Sequence, residues 1–439
     1  MESKIFKRFE GDKVILIIVL FLMLISFLAI FSSTPMLPAQ SDRLDTMADH
    51  GKIAMLGVGL ILVIYKMKLT LIRRLSSLGF IISFVLLFML LIKVNIPGLI
   101  KTEVINGAVR NFKIWGVQVH VFEIVKVAMV MYLAWAMNAI KGEMSLTNWI
   151  VRKEPRLGFL TKPFWKRSFY IYLPTLIISL MIFSGSGSSA IFVCAVLIMT
   201  MFVGNIPYRE LILAAVVGLI GFGSMVAIYK ISDGRAMKRV KTMISRINAD
   251  YDMKRLEGLE GDRIEFQKML DTLSQPVSAR IAIHEGGLIG KGTGNSTQKY
   301  RVQNIYGDYM YSFLVEEYGM LGGIFILILF VSLLARCSII ARMCSEDFAK
   351  FAVGGLALLI TGQAFMHILV NVGIGPMTGQ TLPLISHGAS AFVVFCIAFG
   401  IIISISRIAK KKIEKVENLT EGNMNALQDS IEKAAKLKE

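Results

Sequence analysis

Glu123 and Lys126 stand three residues apart inside a long apolar run, which puts them on one face if that run is a helix. Ionisable groups at bilayer depth are costly, so they face a bundle interior, where they pair or mark a site. Two roles are open for this pair: mutual neutralisation that locks helices together, or service in a binding site. Gln363, His367 and Asn371 recur at four-residue steps in another apolar run. Interhelical hydrogen bonding explains such a stripe without chemistry, and His367 alone is not expected to be catalytic. Just beyond, Gly, Pro and Ser crowd residues 373–390 around Ser386 and His387. Irregular backbone at membrane depth is tolerated only where it is buried or lines a cavity, and its free N–H groups suit an anionic headgroup. An ordinary kinked helix start is the alternative.

Residues 232–306 are different in kind. They hold the acids Asp250, Asp252, Glu257, Glu260, Asp262, Glu265, Asp271 and Glu285, any of which is chemically able to act as a general base. Arg235, Lys238, Arg239, Lys241 and Arg246 cluster at the segment's start. They suit anchoring to anionic headgroups or, through bidentate Arg forks, docking of a phosphorylated lipid. A glycine-rich run follows at 290–299, with Asn295, Ser296, Gln298 and Lys299 at its end. It is not a nucleotide loop, because the spacing to Gly290-Lys291 is one residue short and Gly292 follows the lysine. No zinc-protease helix motif and no serine elbow occurs, and the four cysteines have neither disulfide nor zinc spacing.

The elements that must position these groups are apolar. The 439 residues are 55% hydrophobic and only 18% charged, too few charges for a soluble domain of this length. Ten runs approach the roughly 20 residues a span needs: 14–32, 53–71, 78–96, 119–140, 169–183, 189–203, 211–231, 309–334, 351–372 and 382–405. The fold class expected is an all-α polytopic membrane protein of about ten transmembrane helices, with a large extracytoplasmic loop between the seventh and eighth. The organisation follows as helices over 1–231, the loop over 232–307, helices over 308–407 and a tail over 408–439. Lys and Arg in the short loops fall on one side if both termini are cytoplasmic. The large loop then lies outside, and nucleic acid is not an expected partner.

Two stretches carry a resemblance. Residues 290–323 read GKGTGNSTQKYRVQNIYGDYMYSFLVEEYGMLGG and residues 375–390 read GPMTGQTLPLISHGAS. Both resemble signature blocks of the SEDS family (shape, elongation, division and sporulation). A third block is similar at residues 106–110, ending in Arg110, and at 123–126. The likeness extends over nearly the whole chain and is nearer to the division-type branch, FtsW, than to the elongation-type branch, RodA. It implies a peptidoglycan glycosyltransferase that polymerises lipid II outside the cytoplasmic membrane, at the septum. A class B penicillin-binding protein transpeptidase and other divisome membrane proteins are the implied partners. The resemblance singles out no cofactor, and a divalent cation, Mg or Mn, would suit the leaving diphosphate. The family's essential loop acid maps to Asp271, four residues before Gln275, with Asp262 in second place. Arg110, Glu123, Lys126, Arg239, Arg246, Gln275, Asn295, Ser296, Gln298, Lys299, Ser386 and His387 map to substrate-binding positions. The chain departs from the pattern at Val121-Phe122, at Ala389 and Ala391, and at residues 185–188, where an acid is usual. A lipid II transporter, an elongation-type polymerase and a non-catalytic division scaffold are the competing functions.

Overall fold

A computed structural model describes residues 9–33, 43–96, 100–105, 108–114, 117–141, 151, 153, 155–231, 274–302, 305–375 and 378–436. In chain order the helices are α1 (Lys13–Ser33), α2 (Arg43–Lys66), α3 (Leu69–Ser77), α4 (Gly79–Leu91), α5 (Val121–Ile140), α6 (Pro163–Gly185) and α7 (Gly187–Val203). There follow α8 (Tyr208–Ile231), α9 (Ser274–Gly286), α10 (Met310–Met343), α11 (Asp347–Asn371) and α12 (Ala389–Lys436). Seven of these are long and apolar enough to cross a membrane, and α3 with α4, bent by 41°, makes an eighth. The chain is a polytopic α-helical membrane protein.

Each apolar run falls largely on a helix, but several bounds differ from the sequence reading. The second helix ends at Lys66, and residues 69–77 form a separate amphipathic helix with Arg73 and Arg74 on it. The third closes at Leu91, and the backbone of Ile96 pairs with Ile100. A small antiparallel sheet, unforeseen by a purely helical reading, occupies the connection to α5. Its strands are β1 (Ile100–Ile105), β2 (Ala108–Ile114) and β3 (Val117–His120), paired in that order. Alternation such as Ile100-Lys101-Thr102-Glu103-Val104 suits a strand with two unlike faces.

Burial separates the central helices from the peripheral ones. The spanning window of α5 is 78% buried and that of the apolar part of α12 is 83% buried, against 28% for α2. The outward residues of α1, such as Leu20 and Leu24, are exposed and apolar, as a lipid-facing surface requires. At one end of the bundle Asp12 caps α1, its Oδ1 accepting from the backbone N–H groups of Val14 (3.0 Å) and Ile15 (3.1 Å). Its Oδ2 accepts from Arg336 Nε at 2.6 Å, and its N–H donates to Ser406 Oγ at 3.0 Å. One aspartate thereby gathers α1, α10 and α12. Lys141 pairs with Asp347 at the same end. The opposite end holds the starts of α5, α7, α10 and α12 and the close of α11, and there the buried polar groups collect.

Candidate active site

Lys126 sits on the second turn of α5 with 2% of its surface exposed. Its ammonium donates to Glu123 Oε1 (2.7 Å), Gln363 Oε1 (2.6 Å) and Gln380 Oε1 (2.9 Å). An ammonium has three protons, so these acceptors saturate it. They come from three places: the same helix, α11, and the irregular segment after α11. Phe192 of α7 lies 5.6 Å below the charge. The network continues from Gln380 Nε2 to Ser189 Oγ of α7 at 3.0 Å and from Gln363 Nε2 to the Thr381 carbonyl at 3.0 Å. Glu123 Oε2, by contrast, is buried without a hydrogen-bond partner among the described residues. The pair locks α5 to α11 and to the segment after it, as the first of the two sequence alternatives has it.

The stripe on α11 works as interhelical hydrogen bonding predicts. His367 Nδ1 meets the Gln380 carbonyl at 2.7 Å, and His367 Nε2 accepts the Tyr311 N–H at 3.2 Å. Asn371 Oδ1 accepts from the Ser312 N–H (2.9 Å) and hydroxyl (2.8 Å), and its amide donates to the Asp308 carbonyl at 3.1 Å. These bonds seat the start of α10 against the end of α11.

The segment between α11 and α12 is irregular and buried, as its composition predicts. Leu384 takes φ 60°, while Leu382, Leu384 and Ile385 are almost fully enclosed. Ser386 Oγ donates to the Gly307 carbonyl (2.8 Å) and accepts from the Leu382 N–H (2.9 Å). The His387 N–H donates to the Tyr306 carbonyl at 2.8 Å, and the two rings meet edge-on at 5.7 Å. Among the described residues His387 Nδ1 has no hydrogen-bond partner, and burial holds the imidazole below its usual range. Burial also lowers His120, whose N–H donates to Ser390 Oγ at 2.9 Å.

The glycine run is held to α10 by backbone and by two buried acids. Gly319 breaks α10 with φ 70°. The amides freed there, Met320 and Leu321, donate to the carbonyls of Gly287 (2.9 Å) and Leu288 (3.2 Å). The carbonyls of Glu316 and Glu317 accept from the N–H groups of Lys291 and Gly292, both at 2.9 Å. A loop thus replaces one turn of helix bonding, which is how a break at membrane depth stays satisfied. A Cβ at Gly290 would strike the Glu317 carbonyl, and one at Gly319 the Leu288 carbonyl, so both positions need glycine.

Side chains complete the docking. Glu316 accepts from Ser296 Oγ (2.5 Å), from the Thr297 N–H (2.8 Å) and from Lys291 Nζ (2.8 Å). Glu317 Oε1 accepts from Ser32 Oγ of α1 (2.5 Å) and from the Gly294 N–H (3.0 Å). Lys291 also pairs with Glu285. That pairing holds the Glu285 carboxyl below its usual range. Partial desolvation pulls the Lys291 ammonium down, but Glu285 and Glu316 outweigh it and hold it above its ordinary value.

The expected site residues divide accordingly. Glu123 and Lys126 lie in the buried network, with Ser386 and His387 in the turn beside it. Ser296, Gln298 and Lys299 are buried in the docked loop, where Lys299 Nζ donates to the carbonyls of Gly294 (2.7 Å) and Ser32 (3.2 Å). Asn295 is exposed, its amide bonded to the Lys291 carbonyl at 2.9 Å. Gln275 is half-buried on the first turn of α9, and Arg110 belongs to β2. Asp262, Asp271, Arg239 and Arg246 lie outside the described residues. Among the described residues no group of three or more His, Cys, Asp or Glu could hold a metal ion. Sequence reasoning missed Gln380 as a partner of Lys126, Ser189 as the partner of Gln380, and Glu316 and Glu317 as the loop's anchors. The adjacent acids inside an apolar run were the available signal.

The model of the FtsW, RodA and SpoVE family, described as a cell cycle protein, matches residues 12–411. A probable peptidoglycan glycosyltransferase FtsW of Saccharophagus degradans is 26% identical over 361 residues, 81% of this chain and 82% of the relative. The stage V sporulation protein E of Bacillus subtilis is 26% identical over 407 residues, 92% of this chain and 99% of that protein. Among solved structures, one described as coordinating polymerization and crosslinking in a peptidoglycan synthase complex superposes with a TM-score of 0.62 at 20% identity. It covers 90% of this chain and 98% of its own. The rod shape determining protein RodA of Thermus thermophilus gives a TM-score of 0.55 at 19% identity, covering 90% of this chain and 97% of that one. At those identities the structures speak for the fold. The match across 12–411 carries the assignment: the chain belongs to the FtsW, RodA and SpoVE family of cell cycle proteins.

Proposed function

We propose that this chain is a peptidoglycan glycosyltransferase that polymerises lipid II at the outer face of the cytoplasmic membrane during cell division. The observation that carries the reading is the saturated Lys126 beside the unpartnered Glu123 Oε2, at the bundle end where the glycine loop docks. The curated relatives support it, since the Saccharophagus degradans protein bears that activity in its name. Both termini lie on the cytoplasmic side in this reading, and the septum is the place of action.

Each residue's part follows from its chemistry and from the family blocks it falls in. The donor's diphosphate rests against Arg239 and Arg246, whose forks match phosphate oxygens, while the polyprenyl tail lies between helices. Asp271, or Asp262 in its place, takes the proton from the acceptor's sugar hydroxyl. The hydroxyl oxygen bonds to the donor's anomeric carbon as the bond from that carbon to the diphosphate breaks, and undecaprenyl diphosphate leaves. Glu123 Oε2 accepts a hydroxyl of the bound sugar, and Lys126 holds that carboxylate in place. Glycan strands need crosslinking, so a class B penicillin-binding protein and other divisome membrane proteins are the partners. The solved neighbour described as a synthase complex is consistent with such an assembly.

The test is the purified protein with its cognate transpeptidase and labelled lipid II, comparing wild type with Asp271→Ala and Asp262→Ala. Polymer from wild type that disappears in Asp271→Ala alone assigns the base there. Polymer undiminished in both variants overturns the assignment of the base. Lipid II crossing vesicle membranes without any polymer would make the protein a transporter.

A further inference from the structure

We propose that the end of the bundle opposite the Lys126 network carries a binding surface for anionic phospholipid headgroups. It is built on the short 3-10 helix Pro155–Thr161, the start of α6 and the start of α8. Phe159, Phe164 and Trp165 are 41%, 41% and 46% exposed. The Trp165 ring meets Phe159 edge-on at 5.3 Å and Phe164 at 5.8 Å, so the three form one patch. Tyr208 is 63% exposed, with the Arg209 guanidinium 5.9 Å from its ring.

An ion pair joins the two halves. Arg167 Nε donates to Glu210 Oε2 at 2.7 Å, its Nη2 pairs with the other oxygen, and the Tyr172 hydroxyl donates to Oε2 at 2.8 Å. Glu210 is the sole acid in residues 155–172 and 204–210, and this pair neutralises it. Arg156, Lys162 and Arg209 are then exposed cations beside exposed rings, with no acid among those segments to oppose them.

Lipid fits this surface better than a soluble protein because of where it sits. Pro163 opens a 23-residue span, so rings one turn either side of it lie at headgroup depth. Aromatic side chains favour that layer, apolar body inward and polar edge outward. Each basic residue near an anionic leaflet adds attraction, which several together convert into selection of anionic over zwitterionic lipid. None of this depends on the glycosyltransferase reading, and the surface lies a full helix length from the proposed site.

The experiment places the full chain in nanodiscs of phosphatidylcholine with a minority of phosphatidylglycerol. Bromine quencher is carried on one lipid or the other. Trp165 emission is obtained as the difference between wild type and Trp165→Phe. The expected result is quenching by brominated phosphatidylglycerol about three- to five-fold above its mole fraction, declining as salt is raised. The Arg156→Gln, Lys162→Gln, Arg209→Gln variant should quench in proportion to mole fraction, while Arg156→Lys with Arg209→Lys should keep the preference. Wild-type quenching that merely follows mole fraction, or a preference indifferent to salt, overturns the proposal. So does a preference undiminished in the glutamine variant. If that variant does not fold, the wild-type salt series alone decides.

Discussion

Lys126 shows how one residue ties distant parts of the chain together. Its spacing from Glu123 was legible, because three residues on a helix place two side chains together whatever the fold. Its other partners were not legible. Gln363 and Gln380 lie more than two hundred residues away, and only the packing of α11 against α5 brings them within reach. Removing one member of a buried pair strands the other charge, which costs about 3–5 kcal/mol, whereas removing both can be nearly neutral. Lys126→Met should therefore lower the melting temperature in detergent sharply. Glu123→Gln together with Lys126→Met should recover most of that loss. A double variant as unstable as the single would show that the glutamines, not the carboxylate, hold Lys126 in place.

At the scale of elements, the docked glycine loop is the feature on which the site depends. Its glycines were visible in sequence as a turn. Their reason was not, since it lies in the backbone of α10, where Gly319 releases bonds that Gly287 and Leu288 take up. Glu285 and Lys291 add a pH dependence with a definite sign. The folded carboxyl of Glu285 is depressed below its ordinary value of 4.5, so its stabilisation is present above that value and lost as pH falls below it. The Lys291 ammonium is raised, so its share persists up to its ordinary 10.5 and is lost above. Hydrogen exchange at the Lys291 and Gly292 amides, once corrected for intrinsic rates, should show steady protection near neutrality and faster opening in acid. Glu285→Gln should flatten the acid limb, and an unchanged limb would place the acid sensitivity elsewhere. Element bounds were read less well than their existence. The sheet over 100–120 was missed because apolar length, the signal used for spans, is silent about short alternating strands.

The whole molecule has two ends with different work. One is tied by Asp12, Arg336 and Ser406 and faces basic, aromatic loops; the other holds the saturated lysine, the irregular turn at Ser386 and the docked loop. Apolar runs revealed the helical membrane fold, and the motif blocks near 290 and 375 fall at the Lys126 end. The pairing of ends was beyond sequence, because nothing local states which helix termini meet. If lipid II is polymerised at the Lys126 end, loss of the buried pair there abolishes polymerisation. The most direct measurement supplies labelled lipid II to the purified protein with its transpeptidase blocked by a β-lactam. It compares wild type with the Glu123→Gln, Lys126→Met double variant under matched folding. Long glycan from wild type and none from the variant is the predicted result; no glycan from wild type, or equal glycan from both, would contradict it.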